Sequence, residues 1–275
     1  MSKDVSAHYS GSGGLAEKIA DSLRSAGKDL DKLTAADLEA IDEFHFRGRA
    51  ATLELARQMR LHDGSRVLDI GSGLGGTART LASEYNCHVV GLDLTQEFCD
   101  AAAVISGWVN MDQQVAFQQG DATNPPFADH HFDAAITVHV AMNIPAKDKL
   151  YEQTRRVLKP GGIFAVYDIL QGEGGEAMYP APWAREPSIS YLATADEMKL
   201  LLSGAGFKIL DVHDSTAESL NWLETRTKRL AQSGPSPITT KVLFGDEFSQ
   251  MTQNQKRGLT ERRIRTVSFI CEAPG

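Results

Sequence analysis

The chain has few cysteines, and they lie far apart. Its 275 residues include three cysteines, Cys87, Cys99 and Cys271. Their number is odd, and no C-x-x-C pair occurs among them. Neither a disulfide framework nor a zinc site is therefore indicated, and we expect no metal in the functional site.

Long apolar runs and an excess of positive charge are also missing. No run approaches the roughly 18 apolar residues that a membrane span needs, and the polar first residues predict no signal peptide. The formal net charge is −8, whereas a general nucleic-acid binder needs a basic face. We therefore expect a cytoplasmic protein without a nucleic-acid or membrane partner.

Short apolar runs alternate with helical patterns through most of the chain. This alternation predicts a doubly wound α/β fold, in which crossover helices connect the strands of a parallel sheet. The last connection allows either a hairpin or a crossover, so that one of the seven strands is a candidate for antiparallel pairing. We expect the strands at 66–70, 88–93, 115–119, 134–138, 163–168, 207–214 and 265–272, with helices at 75–85, 96–110 and 147–157 and a further helix capped by Thr194.

Helical patterns stand on both sides of this alternation. Residues 1–61 predict an N-terminal helical extension that forms a lid. Residues 62–275 are expected to form the main domain, which includes a helical cap at 217–262 between strands six and seven. The helices of the extension are expected at 15–26, from the N-cap Thr34 to about 44, and at 48–61, and those of the cap on either side of a break at 234–237.

A glycine-rich turn follows the first predicted strand. In VLDIGSGLGG, Val67–Gly76, four glycines fall within six positions, and such a turn exposes main-chain N–H groups to a ligand at the start of a helix. The turn alone suits a nicotinamide cofactor, a flavin or S-adenosylmethionine. Counted from Gly71, its spacing is G-x-G-x-G-G, not the G-x-G-x-x-G of a pyrophosphate site. The acid at Asp69 also suits an ammonium group better than a phosphate.

Five features together resemble the class I S-adenosylmethionine-dependent methyltransferases. The resemblance covers about residues 64–212 and implies a Rossmann-like methyltransferase fold with S-adenosyl-L-methionine as the cofactor. The features are the D-x-G-x-G turn, an acid at the end of strand two (Asp93), GDA at 120–122, FDAAIT at 132–137 and RVLKPGG at 156–162.

The resemblance implies a role for each position of the glycine-rich turn. Gly71, Ser72 and Gly73 are expected to meet the methionine part of the cofactor. Asp69 is expected to orient the ammonium group of the cofactor.

Further cofactor contacts are implied at the ends of the next three strands. Asp93, followed by Leu94, is expected to accept hydrogen bonds from both ribose hydroxyls. Asp121 is expected to accept one from the adenine amino group, while the Ala122 N–H donates to the ring. His139 is expected to line the methyl-donor end. A helix-capping role for Asp93 and a turn-forming role for Asp121 remain open as alternatives.

The segment IDEFHFRGR, residues 41–49, is dense in side chains capable of chemistry. Glu43 and His45 are the catalytic candidates that it offers. At helical spacing Asp42, His45 and Arg49 are expected to share one face. A lid over cofactor and substrate is one interpretation, and a surface helix end with salt bridges is the other.

Two later segments are expected to approach the methyl acceptor. His139 ends strand four and is the best-placed candidate base, with a structural histidine as the alternative. The segment MYPAPWA, residues 178–184, brings Tyr179 and Trp183 together between prolines. These aromatics suit a hydrophobic lid, or a cation–π contact with a cationic substrate.

Among methyltransferases, the layout is most similar to the small-molecule group that includes sarcosine/dimethylglycine and geranyl diphosphate methyltransferases. This similarity implies a small-molecule methyl acceptor, and the acidic and aromatic lid residues favour an amine. A C- or O-methyltransferase of a prenyl, quinone or polyketide-like metabolite is the alternative. A nicotinamide-dependent oxidoreductase and a non-catalytic S-adenosylmethionine-binding protein are alternatives of other classes, and a homodimer stays open.

Overall fold

One seven-stranded sheet organises the computed structural model, which describes residues 14–233 and 247–275. The order across the sheet is β3-β2-β1-β4-β5-β7-β6. β7 is antiparallel to both of its neighbours, and the other neighbouring pairs are parallel. The strands are β1 (Arg66–Ile70), β2 (His88–Asp93), β3 (Val115–Gln119), β4 (Phe132–Val138), β5 (Leu158–Gln171), β6 (Lys208–Asp214) and β7 (Ile264–Glu272). The predicted doubly wound, mostly parallel sheet is confirmed.

Helices precede the sheet, connect its strands and form the cap between β6 and β7. In the described part of the chain they are α1 (Leu15–Ser25), α2 (Ala35–Asp42), α3 (Arg49–Ala56), α4 (Gly76–Tyr85), α5 (Gln96–Trp108), α6 (Lys147–Val157), α7 (Ala195–Gly204), α8 (Thr216–Ser233) and α9 (Phe248–Thr260). The predicted break at 234–237 lies outside the described residues.

The alternation of side chains along the strands separates two apolar cores. Ala165 and Tyr167 of β5 pack on one face of the sheet with residues of α3 and α4. Phe164 and Val166 pack on the other face with residues of α6 and α7. Because both faces are covered, the central strands are mostly apolar, as expected for a buried parallel sheet, and Asp69 and Asp168 are buried exceptions.

The N-terminal extension adds a third apolar cluster. Leu15, Ile19 and Leu23 of α1 pack against Phe98 and Ile105 of α5. The N-terminal extension thus makes apolar contacts with a helix that connects two strands of the sheet. The division of the chain at residues 61 and 62 stays a prediction.

Two sequence predictions for the extension were wrong. α2 ends at Asp42 rather than near residue 44, and α3 ends at Ala56 rather than at 61. Asp42 and Arg49 therefore belong to different helices, with His45 in the connection between them, and the three residues do not share a helix face. Gly48, with φ 48° and ψ −143°, is the residue that precedes α3, and this conformation interrupts any continuous helix.

β5 is longer than the sequence predicts. It begins at Leu158 and reaches Gln171, whereas the apolar run indicated residues 163–168. β7 pairs with β5 from Ile163 to Gln171 and supplies backbone partners beyond the apolar run. Tertiary pairing, which periodicity does not report, sets this strand end.

Candidate active site

A cleft opens at the carboxyl ends of the parallel strands. The sheet order reverses between β1 and β4, and ligands of doubly wound sheets bind at such a switch point. The cleft has a volume of about 1150 Å³, measured to its open mouth. This volume includes open solvent at the mouth, and such concave sites are where small ligands and cofactors usually bind.

The glycine-rich turn forms the floor of the cleft. Gly71 has φ 74°, and the N–H groups of Gly71 and Ser72 both donate to the Leu92 carbonyl, at 2.7 and 3.2 Å. A Cβ atom at Gly71 would lie 2.3 Å from the Val140 side chain. Glycine is therefore required here by backbone conformation and by the close approach of the loop after β4.

Asp93 fastens this turn to the end of β2. One carboxylate oxygen accepts from the Gly73 N–H at 2.8 Å, and the other accepts from the Thr95 N–H at 2.9 Å. Burial raises the pKa of the Asp93 carboxyl, although these N–H groups oppose the shift. Asp93 and Leu94 both line the cleft, as the cofactor assignment requires. The N-cap residue of α5 is Thr95, so Asp93 does not occupy the capping position of the alternative role.

Two buried polar atoms of the turn have no hydrogen-bond partner within the described structure. They are Oδ2 of Asp69 and Oγ of Ser72, and both residues line the cleft. Burial raises the pKa of Asp69 to about 8, and the charges of Asp93 and Glu43 add to the shift. A ligand with an ammonium group and a carboxylate would satisfy both atoms, since a carboxylate accepts and a hydroxyl donates.

His139 follows β4 and faces the cleft. The backbone N–H of His139 donates to the Tyr167 carbonyl at 2.8 Å, and the residue has a φ of 55°. The imidazole centroid lies 5.0 Å from that of Tyr167, 5.6 Å from Phe46 and 5.7 Å from His45. Burial, with the nearby His45, lowers the pKa of His139 well below its usual range. The neutral ring has a buried Nε2 without a partner in the described residues.

Glu43 and His45 form a buried polar cluster beside His139. Nδ1 of His45 faces the Phe46 carbonyl at 3.1 Å and Nε2 faces Glu43 at 3.2 Å. Both ring nitrogens of His45 therefore have an oxygen within hydrogen-bond distance. Burial opposes the charge on Glu43, but hydrogen bonds from His45, Thr52 and Thr80 outweigh burial and lower its pKa.

Not every predicted site residue reaches the cleft. Gly73, Ala122 and His45 line it, whereas Glu43 lies behind His45 and Asp121 is not part of the lining. The Asp121 carboxylate accepts from the N–H and the hydroxyl of Thr123, both at 2.8 Å. The turn-forming contact is thus present at Asp121, and its role toward adenine stays a prediction.

Other lining residues were not predicted from the sequence. Gln255 of α9 and Ile169 of β5 reach the cleft from elements far along the chain. Phe44 lies over the turn, 3.9 Å from the place of a Cβ atom at Gly73. A single glutamine or isoleucine on an amphipathic element carries no sequence signal for a site.

The described residues hold neither a cluster of metal ligands nor a membrane-spanning helix. Within 14–233 and 247–275, no group of three or more His, Cys, Asp or Glu side chains is arranged to hold a metal ion. No helix in the same ranges has the length and apolar character needed to cross a membrane.

Comparison with known proteins agrees with this fold. A family model described as a methyltransferase domain matches residues 68–166. The match spans the strands from β1 to β5 that carry the cleft. Residues 68–166 are thus similar to a methyltransferase domain, and the sheet around them has the Rossmann-like methyltransferase fold.

Similar proteins extend this comparison. Sterol 24-C-methyltransferase ERG6B of Gibberella zeae is 36% identical over 116 residues, which are 42% of this chain and 30% of that protein. The chain thus spans about a third of the length of this curated relative. Among solved structures, the [4+2]-cyclase SpnF superposes with a TM-score of 0.68 at 22% identity, covering 94% of each chain. Geranyl diphosphate C-methyltransferase from Streptomyces coelicolor, solved with S-adenosyl-L-homocysteine, has a TM-score of 0.71 at 14% identity over 96% of this chain and 99% of that one.

Proposed function

We propose that this protein is an S-adenosylmethionine-dependent methyltransferase that methylates a carbon atom of an apolar, isoprenoid-like small molecule. S-adenosylmethionine supplies a methyl group on a sulfonium, which a nucleophile displaces in line. The protein's main task is therefore to align two ligands and exclude water.

The two buried polar atoms of the glycine-rich turn that lack a hydrogen-bond partner in the described residues fit this cofactor. Asp69 Oδ2 is a buried acceptor without a partner in the described residues, and it suits the ammonium group. Ser72 Oγ suits the carboxylate of the same amino acid moiety. Asp93, at the end of β2, suits the ribose hydroxyls. Together these groups match the cofactor's polar ends without a phosphate site.

One observation carries the acceptor class: beyond the turn, the cleft wall is mostly apolar and, among the described residues, has no Lys or Arg. Val140, Met142, Ile169, Pro182 and Trp183 form this wall, and no Lys or Arg occurs among the described residues that line the cleft. A zwitterionic amine such as sarcosine would bury its carboxylate there without a counter-charge, which is costly. The lining therefore favours the apolar alternative over the amine that the lid residues indicate in the sequence.

We assign His139 as the general base that accepts the proton released during methylation. The neutral ring presents its unpartnered Nε2 next to the apolar wall. There it would accept the proton that leaves the methylated carbon, as a general base. His45, held between Glu43 and the Phe46 carbonyl, packs against the His139 ring and is assigned as its positioning partner.

Transfer of radiolabelled methyl groups from S-adenosylmethionine tests the proposal. The acceptor panel is a sterol with an unsaturated side chain, farnesol, geranyl diphosphate, a phenol, sarcosine and dimethylglycine. We expect methylation at carbon of an isoprenoid acceptor, located by mass spectrometry. Turnover restricted to sarcosine and dimethylglycine would contradict the proposed isoprenoid acceptor and would support an amine acceptor.

A cofactor-binding protein that transfers no methyl group is the second candidate. The fold alone does not fix the reaction, because a structure that matches over 94% of both chains is described as a [4+2]-cyclase. Calorimetric binding of S-adenosylhomocysteine without methyl transfer to any member of the panel would favour this candidate. In a methyltransferase the His139→Asn variant is expected to lower methyl transfer by about 100-fold or more, whereas a protein that only binds the cofactor has no transfer to lose.

A further inference from the structure

The segment between β5 and α7 has little regular structure, yet it buries Trp183 together with Ala181 and Ala184. Ala181 and Ala184 form an isolated two-residue bridge, and a single 3-10 turn covers Pro187–Ile189. Trp183 nevertheless has only 2% of its surface exposed. The segment places Pro182 and Trp183 on the apolar wall of the cleft, so its position sets the shape of the acceptor end.

Asn143 holds this segment at two points. It lies in the short turn after β4, four residues beyond His139, and is 4% exposed. Its side-chain amide donates to the Trp183 carbonyl at 2.7 Å and to the Ile189 carbonyl at 3.0 Å. Both amide hydrogens are thus directed at one segment, and each satisfies a buried carbonyl.

Neighbouring contacts join the same two stretches of chain. The Tyr191 N–H donates to the Met142 carbonyl at 2.7 Å. The buried Lys147 ammonium donates to the carbonyls of Ile144 and Tyr191. The loop after β4 and the segment that ends at Tyr191 therefore behave as one packed unit.

The far side of the Trp183 segment is fixed separately. The indole N–H of Trp183 donates to Ser190 Oγ at 2.9 Å. The Asn254 side chain of α9 donates to the Pro180 carbonyl at 2.9 Å. Neither contact involves the loop after β4, whereas Asn143, which itself lines the cleft, joins the Trp183 carbonyl to the loop that begins at His139.

We propose that Asn143 is a positioning residue for acceptor specificity, which fixes the distance between the Trp183 wall and the methyl-donor end of the cleft. The inference rests on the proposed function only in that the occupant of this end is the methyl acceptor. Asn143 acts through the Trp183 backbone, and Trp183 is the side chain that meets the acceptor. The cofactor groups Asp69 and Asp93 lie on β1 and β2 and do not depend on this contact.

The variant Asn143→Asp tests the proposal with little change in shape. It replaces the donating amide by an oxygen that faces two carbonyl oxygens, so both hydrogen bonds are lost and the buried carbonyls are left unpaired. The matched control is Asn221→Asp, the same substitution at an exposed position of α8. Both are made in the background Trp108→Phe, Trp222→Phe, which leaves Trp183 as the single tryptophan.

The readouts are Trp183 emission and the affinity for S-adenosylhomocysteine. We expect a red shift of the emission in Asn143→Asp, none in Asn221→Asp, and unchanged affinity for S-adenosylhomocysteine in both. An unshifted emission maximum in folded Asn143→Asp would overturn the proposal, whether the affinity for S-adenosylhomocysteine were kept or lost. If Asn143→Asp does not fold, Asn143→Ala removes the same donors without adding a charge and is judged by the same two readouts.

Binding of farnesol to the S-adenosylhomocysteine complex measures the acceptor end directly. We expect Asn143→Asp to weaken farnesol binding about tenfold relative to Asn221→Asp. Emission and S-adenosylhomocysteine binding need no turnover, so their outcome is independent of the reaction. If the wild type did not bind farnesol but the emission still shifted, the isoprenoid acceptor would fail while the positioning role of Asn143 would stand. Equal farnesol affinity in the two variants would overturn the specificity role.

Discussion

Arg79 and Asp42 form a buried ion pair between helix α4 and the end of helix α2. Nη2 of Arg79 lies 2.5 Å from Oδ1 of Asp42 and Nε lies 3.2 Å from Oδ2. The side chains are 4% and 11% exposed. A Cβ atom at Gly76 would lie 1.9 Å from the Asp42 carbonyl oxygen, so the extension touches the glycine-rich turn directly. The pair therefore holds the connection with Phe44 and His45 over the cleft.

Loss of this pair is expected to destabilise the protein strongly. Arg79 also donates to the Leu74 carbonyl and to Ser106 Oγ, so Arg79→Met leaves a buried carboxylate and two acceptors unpaired. We expect the free energy of unfolding to fall by about 3–5 kcal/mol, as measured by urea denaturation. The control Lys199→Met breaks an exposed pair with Asp196 and is expected to change little. Equal, small effects in both variants would mean that the buried pair contributes no more than a surface pair.

The carboxylate of Asp93 is expected to be essential for cofactor binding. Asp93→Ala removes the proposed acceptor for the ribose hydroxyls and frees the Gly73 N–H that donates to it. We expect the affinity for S-adenosylhomocysteine to fall about 10–100-fold, as measured by calorimetry. Asp100→Ala, an exposed acid on α5, is the control. Unchanged affinity in Asp93→Ala would refute the assignment of this residue.

Cofactor binding is expected to release a proton from Asp69. In the absence of ligand, burial first, with help from Asp93 and Glu43, raises the pKa of Asp69 to about 8, so the carboxyl is mostly protonated at pH 7. An ammonium group beside it favours the ionised form and lowers that pKa. Binding at pH 7 should therefore release up to about one proton, and affinity should rise as the pH rises toward 8.

Calorimetry in buffers of different ionisation enthalpy measures this release. The observed binding enthalpy should vary with the buffer for the wild type. The variant Asp69→Asn, which does not titrate there, should show a much smaller dependence. Equal buffer dependence in the wild type and in Asp69→Asn would mean that the released proton comes from a group other than Asp69.

Asp168 is expected to make stability fall as the pH rises. Burial raises the pKa of its carboxyl to about 7, against the opposing charge of Lys147. An unfolded aspartate titrates near about 3.9, so between about pH 4 and 7 the folded state holds a proton that the unfolded state has lost. The stabilisation is full below pH about 4 and is lost as the pH rises through 7.

The variant Asp168→Asn should remove this part of the pH dependence. Free energies of unfolding by urea, measured from pH 4 to 7, are expected to fall less steeply for the variant than for the wild type. Asp112→Asn, at an exposed turn, should keep the wild-type slope. A wild-type slope in Asp168→Asn would show that the carboxyl is already ionised in this range.

The strand ends that carry the cofactor site were predictable because they are local features. Asp69, Gly71 and Asp93 each follow an apolar run whose length and composition predict a buried strand. Parallel strands place their carboxyl ends at one edge of the sheet. The alternation of strands and helices therefore also predicted that these residues lie close together.

The extension was predicted less well because no local pattern marks where its helices end. The spacing of Asp42, His45 and Arg49 fits one helix, but the backbone at Gly48 and the buried contacts of Glu43 override it. Those contacts reach Thr80, 37 residues away, and a helical repeat carries no information about them.

The sequence by itself determined the class of fold, the glycine-rich turn and the acids at the ends of β1 and β2, because periodicity and turn chemistry act over a few residues. Only the tertiary structure decided that His139 lies neutral beside His45, that Arg79 pairs with Asp42 and that Asn143 holds Trp183. Each of these contacts joins residues far apart in the chain, and its strength comes from burial, which only the packed protein provides.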